Sequence, residues 1–356
     1  MTNLQKIQAS VAASGLDGLL LMDDKNIFYA IGFRPTDSAL IITRDHARFI
    51  TDSRYIEAAE MASDRACQVV MSTRAHKLTE CMAEYIGERG VRTLGFEEDF
   101  LSYAQYGSLS GKLSAAMVPA PRIIHQLRQS KSSAELDSLI AAQRIAERAL
   151  DYVLGIIRPG ISEREVAAEL TYRMLLYGGE GNSFDPIVVC GAKGSMPHGV
   201  PGDELISDGD FVTMDFGTLK NGYCSDMTRT VAVGRVTDEM RRVYDTVYAA
   251  QAAGIAAARP GARGCDIHNA AAKVIEDAGY GEYFGHGFGH SLGLDIHESP
   301  SANTANDQPM PEGAVISAEP GIYLPGRFGV RIEDVLYLTG DGNIDITKAR
   351  RELIIL

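Results

Sequence analysis

Three of the chain's eight histidines, His286, His290 and His297, fall inside YFGHGFGHSLGLDIHESP, spaced by four and seven residues with glycine between them. A packed core has no use for imidazoles on so flexible a track, because glycine there costs backbone entropy. Nitrogen ligands or proton donors close to a bound group do. Four carboxylates stand beside apolar runs elsewhere. Asp215 closes FVTM, Asp226 follows eleven residues later across Asn221-Gly222, Glu319 closes VISA before Pro320-Gly321, and Glu333 follows Ile332. A carboxylate within an apolar strand is costly unless it is paired or bound to a cation. Asp215 and Asp226 alone read equally well as capped, solvated strand ends; four such acids call for cations. With His290 as a neutral imidazole the set carries about −4, a charge that two divalent ions balance. Oxygen-rich ligation with one nitrogen suits manganese, cobalt, iron or zinc better than calcium. Two ions ~3.5–4 Å apart would share bridging carboxylates and a hydroxide nucleophile. HExxH is absent, which excludes a helix-borne zinc site of that type. The DFG at Asp215 has neither an HRD loop nor a preceding Gly-rich loop, so it carries no kinase meaning.

The elements that must position these groups form an α/β pattern at first. Gly18–Met22, Ser38–Thr43, His46–Thr51, Gln68–Met71 and Arg92–Phe96 read as strands. Leu4–Ser14, Arg54–Ser63 and His76–Arg89 read as helices, with apolar residues at i, i+3 and i+4. Pro119 and Pro121 break the pattern. Ser132 or Ser133 then caps a long helix with Leu136, Ile140 and Ile145 on one face, running to Pro159-Gly160, and Ser162 with Glu165 makes a capping box for the next. The boundary falls near residue 125, giving domains 1–125 and 126–356. Residues 185–235 are strand-like, and the Asn221-Gly222 turn would fold Asp215 and Asp226 together. Helical stretches Asp238–Ala258 and Cys265–Ala278 follow, then the histidine track and a strand-rich end. Two related αβ halves around one sheet are expected from this order.

At 356 residues the chain is long enough for two cores. Its net charge of −13 argues against nucleic acid and against a polybasic membrane contact. No apolar run approaches the ~20 residues needed to span a bilayer. The N-terminal stretch lacks an apolar signal core. Five cysteines without a CxxC pair indicate a reducing cytoplasm rather than a disulfide framework. His46, His76, His125 and His268 stand in no motif and are expected on the surface or in loops.

The order Asp215, Asp226, His290, Glu319, Glu333, with MPHG, SDMTRT, GHGFGH, HESP and EPGIY around it, resembles the M24 metallopeptidases, the group of methionine aminopeptidase, prolidase and aminopeptidase P. FITDSRYIEAAE resembles the creatinase-like N-terminal domain that prolidases and aminopeptidases P carry. The resemblance implies an α/β (α+β) fold, a creatinase-like domain followed by a pita-bread domain. It also implies two divalent ions, manganese first, with cobalt, zinc or iron as alternatives. Asp215 would bind one ion, Asp226 and Glu333 both, and His290 and Glu319 the other. Glu319 would also handle the proton of the nucleophile. His198, in the Pro-His-Gly turn, would face the leaving group, and His297 the oxyanion. His286, Tyr323 and Arg331 would contact substrate or support the ligands, while Glu298 is structural. The implied reaction is cleavage before proline, in Xaa-Pro dipeptides or small peptides with proline at position 2. The spacing of fourteen between Glu319 and Glu333 favours dipeptides, their carboxylate met by His198 and Arg331. Asp37, in GFRPTDSAL, would reach a partner's site in a homodimer. A creatinase-like enzyme acting on a non-peptide amide or amidine and a non-catalytic binding protein of this fold are the alternatives; a metal-free creatinase-like enzyme and a binding protein fit an intact ligand set less well, while a metal-dependent enzyme of this fold with a non-peptide substrate stays open.

Overall fold

The computed structural model describes residues 1–62 and 67–356. They divide into two compact units, Met1–Leu127 and Arg128–Leu356.

Helix starts follow local capping chemistry. Thr2, Ser102, Ser132 and Ser162 each accept a hydrogen bond from the backbone three residues on, and the Gln or Glu there reaches back. In the first unit the strands are β1 (Gly18–Leu21), β2 (Ala39–Thr43), β3 (Ala47–Thr51), β4 (Gln68–Met71), β5 (Thr93–Phe96) and β6 (Ala116–Pro119). They form one mixed sheet in the order β4-β3-β2-β1-β5-β6. Around it lie α1 (Asn3–Ala13), α2 (Asp24–Ile31), α3 (Ile56–Ala62), α4 (Leu78–Arg89) and α5 (Tyr103–Ser110). The expected helix Arg54–Ser63 corresponds to α3, and its last residue lies outside the described residues. Two helices, α2 and α5, have no counterpart in the sequence reading. Asp23 caps α2, and Gly32, at φ 72°, ends it. Pro121 does not break structure either: it opens α6 (Pro121–Gln129), at the position where a missing N–H costs nothing.

The second unit begins with α7 (Ser133–Leu154) and α8 (Glu163–Leu176). Helix α7 ends at Gly155, before Pro159, and its buried face runs through Glu135, Leu139, Ala142, Ala146, Leu150 and Val153. Leu136 and Ile140 are only half-buried, one step round from that face. These helices share an apolar core with β7 (Ile187–Cys190), β8 (Phe211–Phe216) and β11 (Met227–Ala232), a sheet ordered β11-β8-β7. Between β8 and β11 the chain makes a small hairpin, β9 (Leu219–Lys220) and β10 (Tyr223–Cys224), turned by Asn221 and Gly222, both with positive φ. Helices α9 (Asp238–Ala257) and α10 (Gly264–Asp277) follow. They pack on β12 (Gly289–Ser291), β13 (Glu298–Ala302), β14 (Val315–Ala318), β17 (Asp334–Thr339) and β18 (Gly342–Asp345), ordered β13-β12-β14-β17-β18. The hairpin β15 (Gly321–Leu324) and β16 (Phe328–Arg331) completes the set.

Two helix-backed halves are therefore present, but on two separate ladders rather than one sheet. They touch along a seam where the Glu333 N–H donates to the Thr228 carbonyl at 3.1 Å. His268 also departs from expectation. It lies on α10, buried, stacked on Phe284, and its Nδ1 accepts from the Phe288 N–H at 3.1 Å. Among the described residues no helix is long and apolar enough to cross a membrane.

Candidate metal centre

The seam collects the acids. Strands β8 and β11 pair antiparallel with Asp215 opposite Thr228, so Asp226, two residues before Thr228, arrives beside Asp215. Glu319 directly follows β14, and Glu333 occupies the step between β16 and β17. His290 lies on β12, the strand that pairs with β14. Its backbone N–H donates to Ser317 Oγ at 3.0 Å, and the same hydroxyl donates to Glu319 Oε1 at 2.9 Å.

Ligand atoms of Asp226, His290 and Glu333 lie within 4.8 Å of one another. His290 Nε2 lies 3.2 Å from Glu319 Oε1 and 3.6 Å from Asp226 Oδ2. Its Nδ1 faces the Ser291 carbonyl at 3.2 Å. That bond fixes one ring proton on Nδ1 and turns Nε2 toward the acids, where it donates to Glu319 when protonated and offers its lone pair when a cation binds. Three buried oxygens, Asp215 Oδ1, Asp226 Oδ1 and Glu333 Oε1, have no hydrogen-bond partner. Orphaned carboxylate oxygens converging with one imidazole nitrogen fit hard or borderline divalent cations. The five residues named from the sequence are thus brought together, and the donor set suits the ions expected.

The electrostatics say the same. Burial pushes Asp226 and Glu333 well above the usual carboxylate range, and neighbouring carboxylates add to it: Glu333 and Asp215 for the first, Glu319 and Asp215 for the second. Burial also raises Asp215, although Arg331 opposes it. Glu319 moves the other way, because the hydrogen bond and charge of His290 outweigh its burial. A cation would relieve this crowding.

A second network holds the acids in place. Arg331 is buried; its guanidinium donates to Asp215 Oδ2 (2.6 Å), Thr228 Oγ1 (3.0 Å) and Tyr323 Oη (2.9 Å). The Thr228 hydroxyl donates a hydrogen bond to Glu333 Oε2 at 2.8 Å. Tyr323 donates in turn to His286 Nε2 at 2.9 Å, since His286 Nδ1 is occupied by the Gly287 carbonyl at 2.8 Å. Arg331 thus braces Asp215, and Tyr323 links Arg331 to His286. Thr228 and Ser317 were not singled out from sequence. Thr228 lies within the quoted SDMTRT, two residues from Asp226, where its β8 partner is an acid. Ser317 lies two residues before Glu319, on the same strand face, and that spacing was the available signal.

The centre opens into a cavity of about 1140 Å³. His198, His286 and His297 line it with Phe184, Ile296 and Tyr323. His198 and His297 are exposed at its wall, and His297 meets His290 edge-on, ring centroids 4.4 Å apart at 70°. Among the described residues Arg331 is the sole lysine or arginine in the lining, while Asp185 and Glu282 stand exposed there. Asp37 belongs to the first unit. It is exposed, holds φ 52°, and its carboxylate accepts from Arg54 at 3.0 Å.

Comparison with known proteins agrees with this geometry. Metallopeptidase family M24 matches residues 137–340, and the creatinase/prolidase N-terminal domain matches residues 3–130. The chain is 40% identical over 354 residues to the uncharacterized peptidase YqhT of Bacillus subtilis, covering 99% of each chain. It superposes on the Xaa-Pro dipeptidase of Bacillus anthracis with TM-score 0.96, 38% identity and 99% of both chains covered. It superposes on the X-Pro aminopeptidase of Thermotoga maritima with TM-score 0.92 and 32% identity, covering 96% of this chain and 98% of the other.

Proposed function

The chain belongs to metallopeptidase family M24, with a creatinase/prolidase N-terminal domain ahead of the peptidase domain, and on that premise we propose that it removes the N-terminal residue from Xaa-Pro peptides. The observation that carries this reading is the convergence of three unpartnered, buried carboxylate oxygens with His290 at the floor of a peptide-sized cavity. Asp215, Asp226, His290, Glu319 and Glu333 would hold two divalent cations, manganese first. Bound there, such ions supply Lewis acidity and lower the pKa of water toward ~7.

The protein's own groups do the rest. Glu319, kept ionised by its neighbours, accepts the nucleophile's proton and passes it toward the prolyl nitrogen, a contribution of ~10²–10⁴ in rate. Burial lowers the pKa of His297 and so favours a neutral hydrogen-bonding imidazole, and we assign it to the developing oxyanion. His198 faces the leaving side. Arg331, Tyr323 and Thr228 hold Asp215, Glu333 and His286 in place.

A specific observation bears on substrate length. A dipeptidase must bind the proline carboxylate, for which the sequence offered His198 and Arg331, of which only the arginine carries a permanent charge. That guanidinium is already taken by Asp215, Thr228 and Tyr323, and among the described residues no other lysine or arginine lines the cavity. This favours peptides longer than two residues, in which proline carries an amide. The experiment compares kcat/KM for Ala-Pro and Ala-Pro-Ala in manganese-loaded enzyme. The tripeptide is expected to be the better substrate; a strong preference for Ala-Pro restores the dipeptidase reading, and cleavage of neither removes both.

A reducing cytoplasm suits five free cysteines, four of them buried. A homodimer in which Asp37 reaches the partner's site belongs to the same reading. Sedimentation velocity tests it: a fully active monomer ends it.

A further inference from the structure

The hairpin that carries His290 and His297 is gripped from behind by two cations. Strands β12 and β13 place Ser291 opposite Glu298, each one residue past a site histidine. Lys131 Nζ spans that pair, donating to Ser291 Oγ at 3.0 Å and to Glu298 Oε2 at 3.2 Å, and its side chain is wholly buried. Arg128 donates to the other oxygen of Glu298 and to Asp295 Oδ2, at 2.6 Å, inside the turn. The Asp295 N–H also donates to Glu298 Oε1, at 3.0 Å. Gly293 packs so closely that a Cβ would stand 2.7 Å from that oxygen. The whole turn between the two histidines is wrapped on one carboxylate and its two cations.

Stability does not account for this. Taking lysine, arginine and glutamate out of water is expensive, and apolar residues of similar volume often serve as well or better. An ammonium held between partners on two strands does something apolar packing cannot: it fixes their separation through directional bonds. Such a clamp has work here, because the β12–β13 register shifts between His290 and Ser291 and backbone pairing alone does not set the spacing.

We propose that Lys131 is a positioning residue for His297, acting through Ser291 and Glu298 to hold that imidazole edge-on to His290. The proposal rests on the peptidase reading, in which His297 faces the reacting carbonyl. Lys131→Met is to be measured in wild-type and His297→Ala backgrounds, with manganese content read by mass spectrometry. A partner that orients an active-site group typically accounts for roughly 10–100-fold. The expected result is a kcat loss of that size in the wild-type background, KM within about twofold, unchanged metal content, and less than twofold further loss in His297→Ala. In the metal-free protein, imidazole ¹⁵N shifts of His297 should move in Lys131→Met and return in Lys131→Arg. An equal kcat loss in both backgrounds, a loss that tracks metal content, or unchanged kcat and imidazole shifts would each overturn the proposal. If Lys131→Met does not fold, Glu298→Gln enters the same cycle under the same criteria. Failure of the peptidase reading is separable, since wild-type enzyme would then cleave no Xaa-Pro peptide while the imidazole shifts still report the clamp.

Discussion

Asp226→Asn should make the metal-free protein more stable while removing its response to metal. Carboxylate oxygens of Asp226 and Glu333 lie within 4.8 Å, and two unit charges at that distance repel by about 3 kcal/mol at an effective dielectric of 20. The folded protein escapes part of this by binding protons, which is why burial and mutual charge raise both groups well above the usual carboxylate range. The sign of the pH effect follows. Native carboxylates with raised pKa values bind more protons than the unfolded chain above pH ~4, so metal-free stability must fall as pH rises, by up to ~1.4 kcal/mol per pH unit per proton. Asparagine keeps the shape and removes one charge. The contact of His290 with Asp226 at 3.6 Å weakens, but the closer one with Glu319 at 3.2 Å survives. A net gain of about 1–3 kcal/mol is expected, raising the midpoint by roughly 2–10 °C. Manganese at a hundred times Kd should stabilise wild type by ~2.7 kcal/mol and the variant by much less. Scanning calorimetry of chelated and manganese-loaded protein between pH 5 and 8 reads all three. A metal-free variant less stable than wild type, or an equal manganese shift in both, would refute the reasoning.

Arg229 is buried, bonded to the Thr228 and Glu333 carbonyls, to Asp334 at 2.6 Å, and to the Ala349 and Arg350 carbonyls; Arg229→Met leaves the buried Asp334 only the Gln251 amide and the longer contact with Arg351 at 3.5 Å, and should cost about 3–5 kcal/mol in urea unfolding. A Cβ at Gly289 would stand 1.9 Å from the Ser317 carbonyl, so Gly289→Ala should displace β12 and abolish most activity even where folded protein is recovered by circular dichroism. Tyr323→Phe removes the hydroxyl shared by Arg331 and His286; kcat/KM should drop roughly 10–100-fold with both metals retained, and loss of metal instead would assign Tyr323 to the ligand scaffold.

The fold found, a creatinase-like α/β unit followed by a pita-bread unit, is the one the motifs implied. The converging acids were legible because acids beside apolar runs contradict burial, and the contradiction is local in sequence. Capped helices such as α7 and α8 were legible for a similar reason, since the capping box spans four residues. Helix α2 was not, because its signal is one Asp cap and a left-handed glycine on eight residues. The division into two ladders was also hidden, since strand partners are set by packing that periodicity does not report. Arg331 shows the sharpest limit. Its position beside Glu333 marked it as part of the site, but its choice of Asp215 over a substrate carboxylate depends on β8 and β16 meeting at the seam.

The most direct test is a manganese titration of chelated enzyme, with metal content verified, following release of free alanine from Ala-Pro-Ala. Activity is expected to be absent without metal and to rise to a plateau near two equivalents per chain. Asp226→Asn should stay inactive throughout. Full hydrolysis by verified metal-free enzyme, or a plateau in Asp226→Asn equal to that of wild type, would contradict the assignment of this centre.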